Sequence, residues 1–359
     1  MTDRKISLGQ WLTVLTLALF TLGTEEVSRL GAAGAAAWLC PLLAGAAALA
    51  GAAWVSRKPL LGRGDLGAQI AACWGRRTGR VLATLFLLWG LWLTAAHGAR
   101  IGGRLSDSLR ASPLLVTGAV LLLAGWLAAV GVPAFARSCE IFALAVGVGF
   151  LLLVLFGVAR LDGTQVLLWT RAELGQVPRG ACAAGGVVAA GGYALVLLGD
   201  IRPQEGGRRL GLRRLGGLFL SLAAAVLLVL GRLGAALAGR IDRPFFQMVS
   251  GLGFEGAFQR LEELVSALWV LGDVALLGLL LLCLGRLLAQ VLDRPSTGAL
   301  VWAAAGAVFL SSGNHMFWEA VLAGPVLPAG NLAALGGMTL CLVWSRAKQE
   351  KFEKLEKRG

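Results

Sequence analysis

Residues 264–285 read LVSALWVLGDVALLGLLLLCLG, 22 positions with a single charge, Asp273, near the middle. Wound as an α-helix such a run is about 33 Å long, enough to cross a hydrocarbon core of roughly 30 Å. With no water present, every backbone amide must find its partner inside the segment, and a helix does this while an open strand does not. Nine further stretches have the same character: 6–24, 30–56, 81–99, 111–136, 141–159, 180–199, 215–231, 295–318 and 320–345. The alternation of polar and apolar residues that marks a membrane barrel is absent. The sequence therefore predicts an all-α integral membrane protein of about ten transmembrane helices. Residues 1–359 form one membrane domain, and 346–359 form a charged tail. The first stretch follows Arg4 and Lys5 as a signal peptide would, but no small-residue cleavage site precedes Glu25 and Glu26, so it reads as an uncleaved span.

The wider composition agrees. Of 359 residues 57% are hydrophobic and only 15% charged, a balance foreign to a soluble domain. The net charge of +13 would suit nucleic acid if the basic residues were clustered without regard to the spans. They are not. Assigning alternate loops to one side collects 22 of the 33 Lys and Arg there, which obeys the positive-inside rule with ten spans and puts both termini in the cytoplasm. The basic loops read as topology signals and as contacts to anionic lipid, with no nucleic-acid partner. Six cysteines without a C-x-x-C pair and two histidines leave no metal site and no cofactor to expect, and no nucleophile, base and acid come together, so the chain does not read as an enzyme.

Function in such a chain is sought where a span is imperfect, because an ionisable group near the bilayer centre costs on the order of 3 kcal/mol. Four places qualify. In the first span Gly23 and Thr24 precede Glu25 and Glu26. One reading is local unwinding that frees backbone groups for a ligand; the other is a helix that ends at Thr24, with Glu25 pairing to Arg29. The sixth span, GACAAGGVVAAGGYALVLLG over 180–199, carries Gly185, Gly186, Gly191 and Gly192, and either breaks near Gly191–Tyr193 or packs closely through its glycines. In the eighth, Asp273 is a candidate for proton or cation coupling, or else a neutral carboxyl bonded to a neighbouring helix. His315 and Glu319 share a face at i,i+4 and read as an interfacial pair.

Breaks in spans one and six lie half a chain apart, as two inverted five-helix repeats with discontinuous helices 1 and 6 would place them. The segment 235–263 mixes aromatics with charge and suits short helices capping an outer cavity. In the tail, Glu350–Lys354 and Glu353–Lys357 at i,i+4 predict a charged helix.

ISLGQWLTVLTLALFTLGT (6–24), GVPAFARSCEIFALAVGVGFLLLVLFG (131–157) and FQRLEELVSALWVLGDVALLGLLLLCLG (258–285) resemble the B subunits of spore germinant receptors, which are related to the amino acid, polyamine and organocation transporters. The resemblance implies the transporter-like inverted repeat and recognition of a nutrient germinant, often an amino acid. It places the chain in the spore inner membrane beside A and C partner subunits, with ion release and germination to follow. It also implies a ligand site between the first and sixth helices, here Gly23, Thr24 and Glu25 facing Gly191, Gly192 and Tyr193. A zwitterionic ligand there would set its carboxylate on N–H groups freed at a helix break and its amine near Glu25 or Asp273. Two other readings stand beside the sensor: a proton-coupled amino acid permease using Asp273, and a non-binding scaffold subunit. The second of these draws on Gly192-Tyr193-Ala194, where the family commonly has aromatic-Gly-Glu.

Overall fold

The computed structural model describes residues 5–55, 66–202, 207–252 and 261–356. Among these the chain is helical nearly throughout, with no strand. In order the helices are α1 (Leu8–Glu25), α2 (Leu39–Val55), α3 (Leu66–Trp74), α4 (Arg76–Leu109), α5 (Pro113–Ala129), α6 (Val132–Val158), α7 (Thr164–Leu167) and α8 (Arg171–Val188). There follow α9 (Gly207–Leu233), α10 (Ala235–Ala238), α11 (Pro244–Ser250), α12 (Leu261–Leu292), α13 (Gly298–Ser311), α14 (His315–Ala323) and α15 (Val326–Glu356). Two 3₁₀ segments complete the set: Val27–Ala36 after α1, and Ala189–Asp200 continuing α8.

Among the described residues six helices are long and apolar enough to span on length and composition alone, α4, α6, α8 with its 3₁₀ continuation, α9, α12 and α15, and α2, α5 and α13 are shorter apolar helices. α12 is the central helix. Its glycines let neighbours approach where a side chain would hold them off: a Cβ at Gly272 would run into the Thr21 side chain of α1, and one at Gly278 would meet Phe135 of α6. Close backbone approach is the main source of contact between helices in lipid, where no hydrophobic effect drives them together. At the other extreme, α6 turns a row of exposed residues outward, including Ile141, Leu144, Val148 and Leu155, as a lipid-facing helix must.

Local signals set the helix starts. Ser7 caps α1, accepting from the Gln10 amide at 3.1 Å while the Gln10 side chain accepts from the Ser7 amide at 3.1 Å. Thr170 and Glu173 repeat the device at α8. Glu173 also accepts from the Ala35 amide at 3.0 Å, across from Gly34, whose φ of +55° and lack of a side chain allow the carboxylate to come this close. On the N-terminal face, Ile6 and Ile201 form an isolated bridge, with Ile6 N–H donating to Asp200 C=O at 2.9 Å and Arg202 N–H to Ile6 C=O at 3.0 Å. Arg286 of α12 grips both Asp200 oxygens at 2.8 and 3.1 Å.

At four places the structure corrects an expectation or decides between two readings. The third span does not end at 99: α4 continues to Leu109, which carries Arg100 and Arg104 inside the bundle instead of leaving them in a loop. α1 does not unwind at Gly23–Thr24 but stays α-helical through Glu25, and turns at Glu26. The sixth span does not break at Gly191–Tyr193; its winding tightens from α to 3₁₀ at Ala189 and it stays helical to Asp200. The ninth stretch, 295–318, is also shorter than expected, since α13 ends at Ser311 and α14 begins at His315. The tail is helical to Glu356; of its side chains only Lys348 is among the described ones, and those of His315 and Glu319 are not.

Gly186 and Gly185 offer an internal comparison. A Cβ on Gly186 would come within 2.7 Å of the backbone Cα and O of Pro328 in α15, whereas the nearest atom to one on Gly185 is the Ala44 Cβ at 3.9 Å. Backbone cannot step aside as a side-chain tip can. Gly186→Ala is expected to destabilise by about 1–3 kcal/mol, the usual cost of overpacking, and Gly185→Ala to be neutral or stabilising. Thermal unfolding of the two variants in detergent checks this, and equal melting temperatures would refute the close α8–α15 contact.

Candidate functional site

Five ionisable side chains meet where α1, α4 and α12 converge. Glu25 and Glu26 come from the end of α1, Arg100 and Arg104 from successive turns of α4, and Asp273 from the middle of α12. Arg104 pairs with Asp273 through Nη2 and with Glu25 through Nε at 3.1 Å. Arg100 pairs with Glu26, donates from Nη2 to the Glu25 backbone carbonyl at 2.9 Å and lies 3.5 Å from the Glu25 carboxylate. All but Arg100 are buried. The site is held from below by neutral contacts: the Trp269 indole donates to the Thr24 hydroxyl at 2.8 Å, and that hydroxyl donates to the Thr21 carbonyl at 2.8 Å. Gly272 against Thr21 brings α12 near enough to α1 for Asp273 and Glu25 to share one guanidinium.

Above the cluster lies α11. Phe246 sits over Arg104, with the guanidinium carbon 4.9 Å from the ring centroid, and Phe245 stacks on Trp269 at 5.0 Å. Glu25, Arg100, Arg104, Arg243, Phe245 and Phe246 line a small, partly open chamber with room for about one water molecule. α11 thus provides the cap expected of the segment 235–263, of which residues 253–260 lie outside the described residues.

A second cavity opens between α1, α2, α8 and α9. Gly23, Glu26, Ala184, Val187, Val188 and Leu222 are among its walls, which are apolar apart from the Glu26 carboxylate. It meets the end of α1 on one side and the α-to-3₁₀ transition of the sixth span on the other. Arg100, holding Glu26, stands between the two cavities.

The structure separates the six residues singled out as a ligand site. Gly23 lines the cleft. Thr24 and Glu25 face the charge cluster. A Cβ on Gly191 would press on Leu19 of α1 at 2.7 Å, so helices 1 and 6 do touch there. Gly192 faces Leu335 of α15, and the Tyr193 hydroxyl donates to the Phe86 carbonyl of α4 at 2.7 Å. Tyr193 and Gly192 therefore point away from Gly23. Asp273 is not a lone carboxylate, and it and Glu25, the expected partners of a ligand amine, are both engaged by arginine. The Arg29 side chain, the other expected partner of Glu25, lies outside the described ones.

Sequence reading missed Arg100 and Arg104 by treating charge as the end of a span. The helical phase was the usable signal: Leu93, His97, Ile101, Arg104 and Leu105 fall on one buried stripe, and Arg100 follows His97 by three.

No protein-family model and no curated protein matches the sequence. In fold the chain is similar to a Na⁺-coupled sialic acid symporter solved in a substrate-bound, outward-open state. The TM-score is 0.63 and the identity 11%, with 96% of this chain and 79% of the symporter covered. It is also similar to a mutant of the manganese transporter of Eremococcus coleocola, at a TM-score of 0.50 and 12% identity, covering 94% of this chain and 76% of the other. The fold is thus that of secondary transporters built as five-plus-five inverted repeats.

Breaking one member of a buried ion pair strands its partner, at a cost of about 3–5 kcal/mol, whereas replacing both with apolar groups is often close to neutral. Arg104→Met should accordingly destabilise by about 3–5 kcal/mol, and Arg104→Met with Asp273→Leu should recover at least half of it, since Glu25 keeps Arg100. A double-mutant cycle on unfolding in detergent measures the coupling, and additive losses would show that the two side chains do not interact.

Proposed function

We propose that this protein is a ligand-sensing membrane subunit on the secondary-transporter fold, of the kind found in spore germinant receptors, acting with A and C partner subunits in the spore inner membrane. Its ligand is a small amino acid held in the cleft between α1 and α8. One observation carries the reading: the end of α1 and the change of winding in the sixth span border the same cleft, and the one charged group on its wall is the Glu26 carboxylate. An apolar cleft with a single carboxylate suits an apolar body with an ammonium group. As it stands the cleft has room for no more than a water or two, so a ligand must part α1 from α8 to enter.

Signal and binding are joined through Glu26. A ligand ammonium there competes with Arg100, and Arg100 is tied in turn to Glu25 and the rest of the cluster. Occupancy of the cleft would then shift the register between α1 and α4, which is a displacement that a neighbouring subunit can read. The permease alternative, with Asp273 as proton carrier, would require the Arg104–Asp273 pair to part before Asp273 could take up a proton.

A ligand that binds only the folded protein stabilises it by about 2.7 kcal/mol at a hundred times its dissociation constant. Melting of the purified protein in detergent against a panel of amino acids is expected to identify a stabilising ligand. Ala184→Phe, which fills the cleft, and Glu26→Gln should each weaken that stabilisation at least tenfold. Flux of the same ligand into liposomes then separates the readings: binding without flux supports a sensor, flux supports a permease, and no stabilisation by any amino acid in the presence of partner subunits would leave only a scaffold.

A further inference from the structure

The first two turns of α9 carry four arginines, Arg208, Arg209, Arg213 and Arg214, and the helix has no acidic residue from Gly207 to Leu233. All four are exposed. Arg208 reaches back to the Ala53 carbonyl, near the end of α2, at 3.4 Å. Arg209, Arg213 and Arg214 make no hydrogen bond or ion pair among the described residues. With 27 residues α9 is about 40 Å long, so it exceeds a hydrocarbon core of roughly 30 Å by about two turns. Its uncharged run, 215–231, lies between Arg214 and Arg232, which leaves the four arginines at the depth of the lipid headgroups. They stand on the face of the bundle that also holds the Ile6–Ile201 bridge.

Helical phase decides what these charges border. Arg209, Arg213, Gly217 and Leu220 follow one another by four, four and three positions, and so form one stripe along α9. The stripe is turned away from the bundle: Leu220 is 65% exposed, and a Cβ on Gly217 would meet nothing within 4 Å. A different side of α9 is packed on α2, where a Cβ on Gly45 would press on Phe219 at 2.7 Å and one on Gly216 would meet Leu49 at 3.8 Å. Two guanidiniums thus head an open, apolar strip that descends into the bilayer beside a fixed helix pair. A phosphate seated on the guanidiniums leaves an acyl chain to run down the same strip, past the gap at Gly217 and along Leu220. An acidic protein segment would match the charged half of the stripe and not the apolar half. Arginine at every position suits phosphate further, because its planar fork donates two parallel N–H bonds to two oxygens.

From this arrangement we infer that the outer stripe of α9 binds an anionic phospholipid, with its phosphate on Arg209 and Arg213, Arg214 beside them, and an acyl chain against Gly217 and Leu220. The bound lipid ties the start of α9 to the headgroup plane. It thereby fixes the height of α9 in the bilayer by an interaction separate from the charge cluster on α1, α4 and α12.

The test uses the full chain, purified and delipidated in a neutral detergent, with the melting temperature followed as phosphatidylglycerol is added. We expect a saturable rise that phosphatidylcholine does not give. Arg209→Gln combined with Arg213→Gln should raise the half-saturating concentration about tenfold or more. Arg171→Gln combined with Arg179→Gln, which removes the same charge from exposed positions at the opposite end of the sixth span, should leave it unchanged. Equal rises with the two lipids, or equal shifts in the two double variants, would reduce the effect to detergent replacement or to net charge. Equal stabilisation by glycerol 3-phosphate would make the arginines a site for free phosphate, and stabilisation by polyglutamate without any by the lipid would assign them to an acidic protein segment. Each of these results overturns the inference. Because the readout needs no amino acid, it stands or falls independently of the proposed sensor function.

Discussion

Two arginines in the interior of a membrane bundle are the constraint around which this structure is arranged. Each buried ion forfeits several kcal/mol of hydration, and attraction between opposite charges repays that only when the partners are close and well aligned. Arg100 and Arg104 meet the requirement with three carboxylates from two other helices. This fixes the relative height of α1, α4 and α12, since sliding any one of them by a helical turn, about 5.4 Å, would separate every pair. Apolar contacts alone are permissive about register. Ion pairs in a low-dielectric interior are not.

The same demand explains the smaller features around the cluster. Gly272 is a glycine because Thr21 occupies the place of a side chain there, and without that close approach Asp273 and Glu25 could not share Arg104. Trp269 sits one turn before Asp273 and spends its only polar group on Thr24, leaving the ring to support Phe245 of the lid. On the opposite face the closure is of a different kind: a two-hydrogen-bond bridge between Ile6 and Ile201, backed by Asp200 and Arg286. The start of α1 and the end of the sixth span are thus joined at one face, while the end of α1 is locked by charge near the other. A movement of α1 must break one of these two fastenings.

Much of this was legible in the residues. Ten apolar stretches, the basic bias of alternate loops and the absence of strand-like alternation led to an all-helical membrane bundle, and the fold neighbours agree with the inverted-repeat architecture. Asp273 stood out because a lone acid in a run of leucines has few inexpensive explanations. The glycines of the sixth span marked a place of unusual backbone, although they serve mainly for packing on Leu19, Leu335 and Pro328, and the winding changes before Gly191 instead of at it. Reading the end of the third span from its charges failed for a physical reason: a buried arginine and a loop arginine look alike until the carboxylates that pay for burial are located.

By itself, then, the sequence determined that the chain is a helical membrane bundle and which residues are costly to bury, because those follow from one-dimensional quantities, the length of apolar runs and the desolvation of single groups. Which charges pair was decided only by the tertiary structure. Glu25 finds its partners 75 and 79 positions away, and Arg104 finds Asp273 across 169. The cleft and the chamber were likewise beyond the sequence, since each is the space left where three or more segments fail to fill the volume between them, and no segment carries a record of that space on its own.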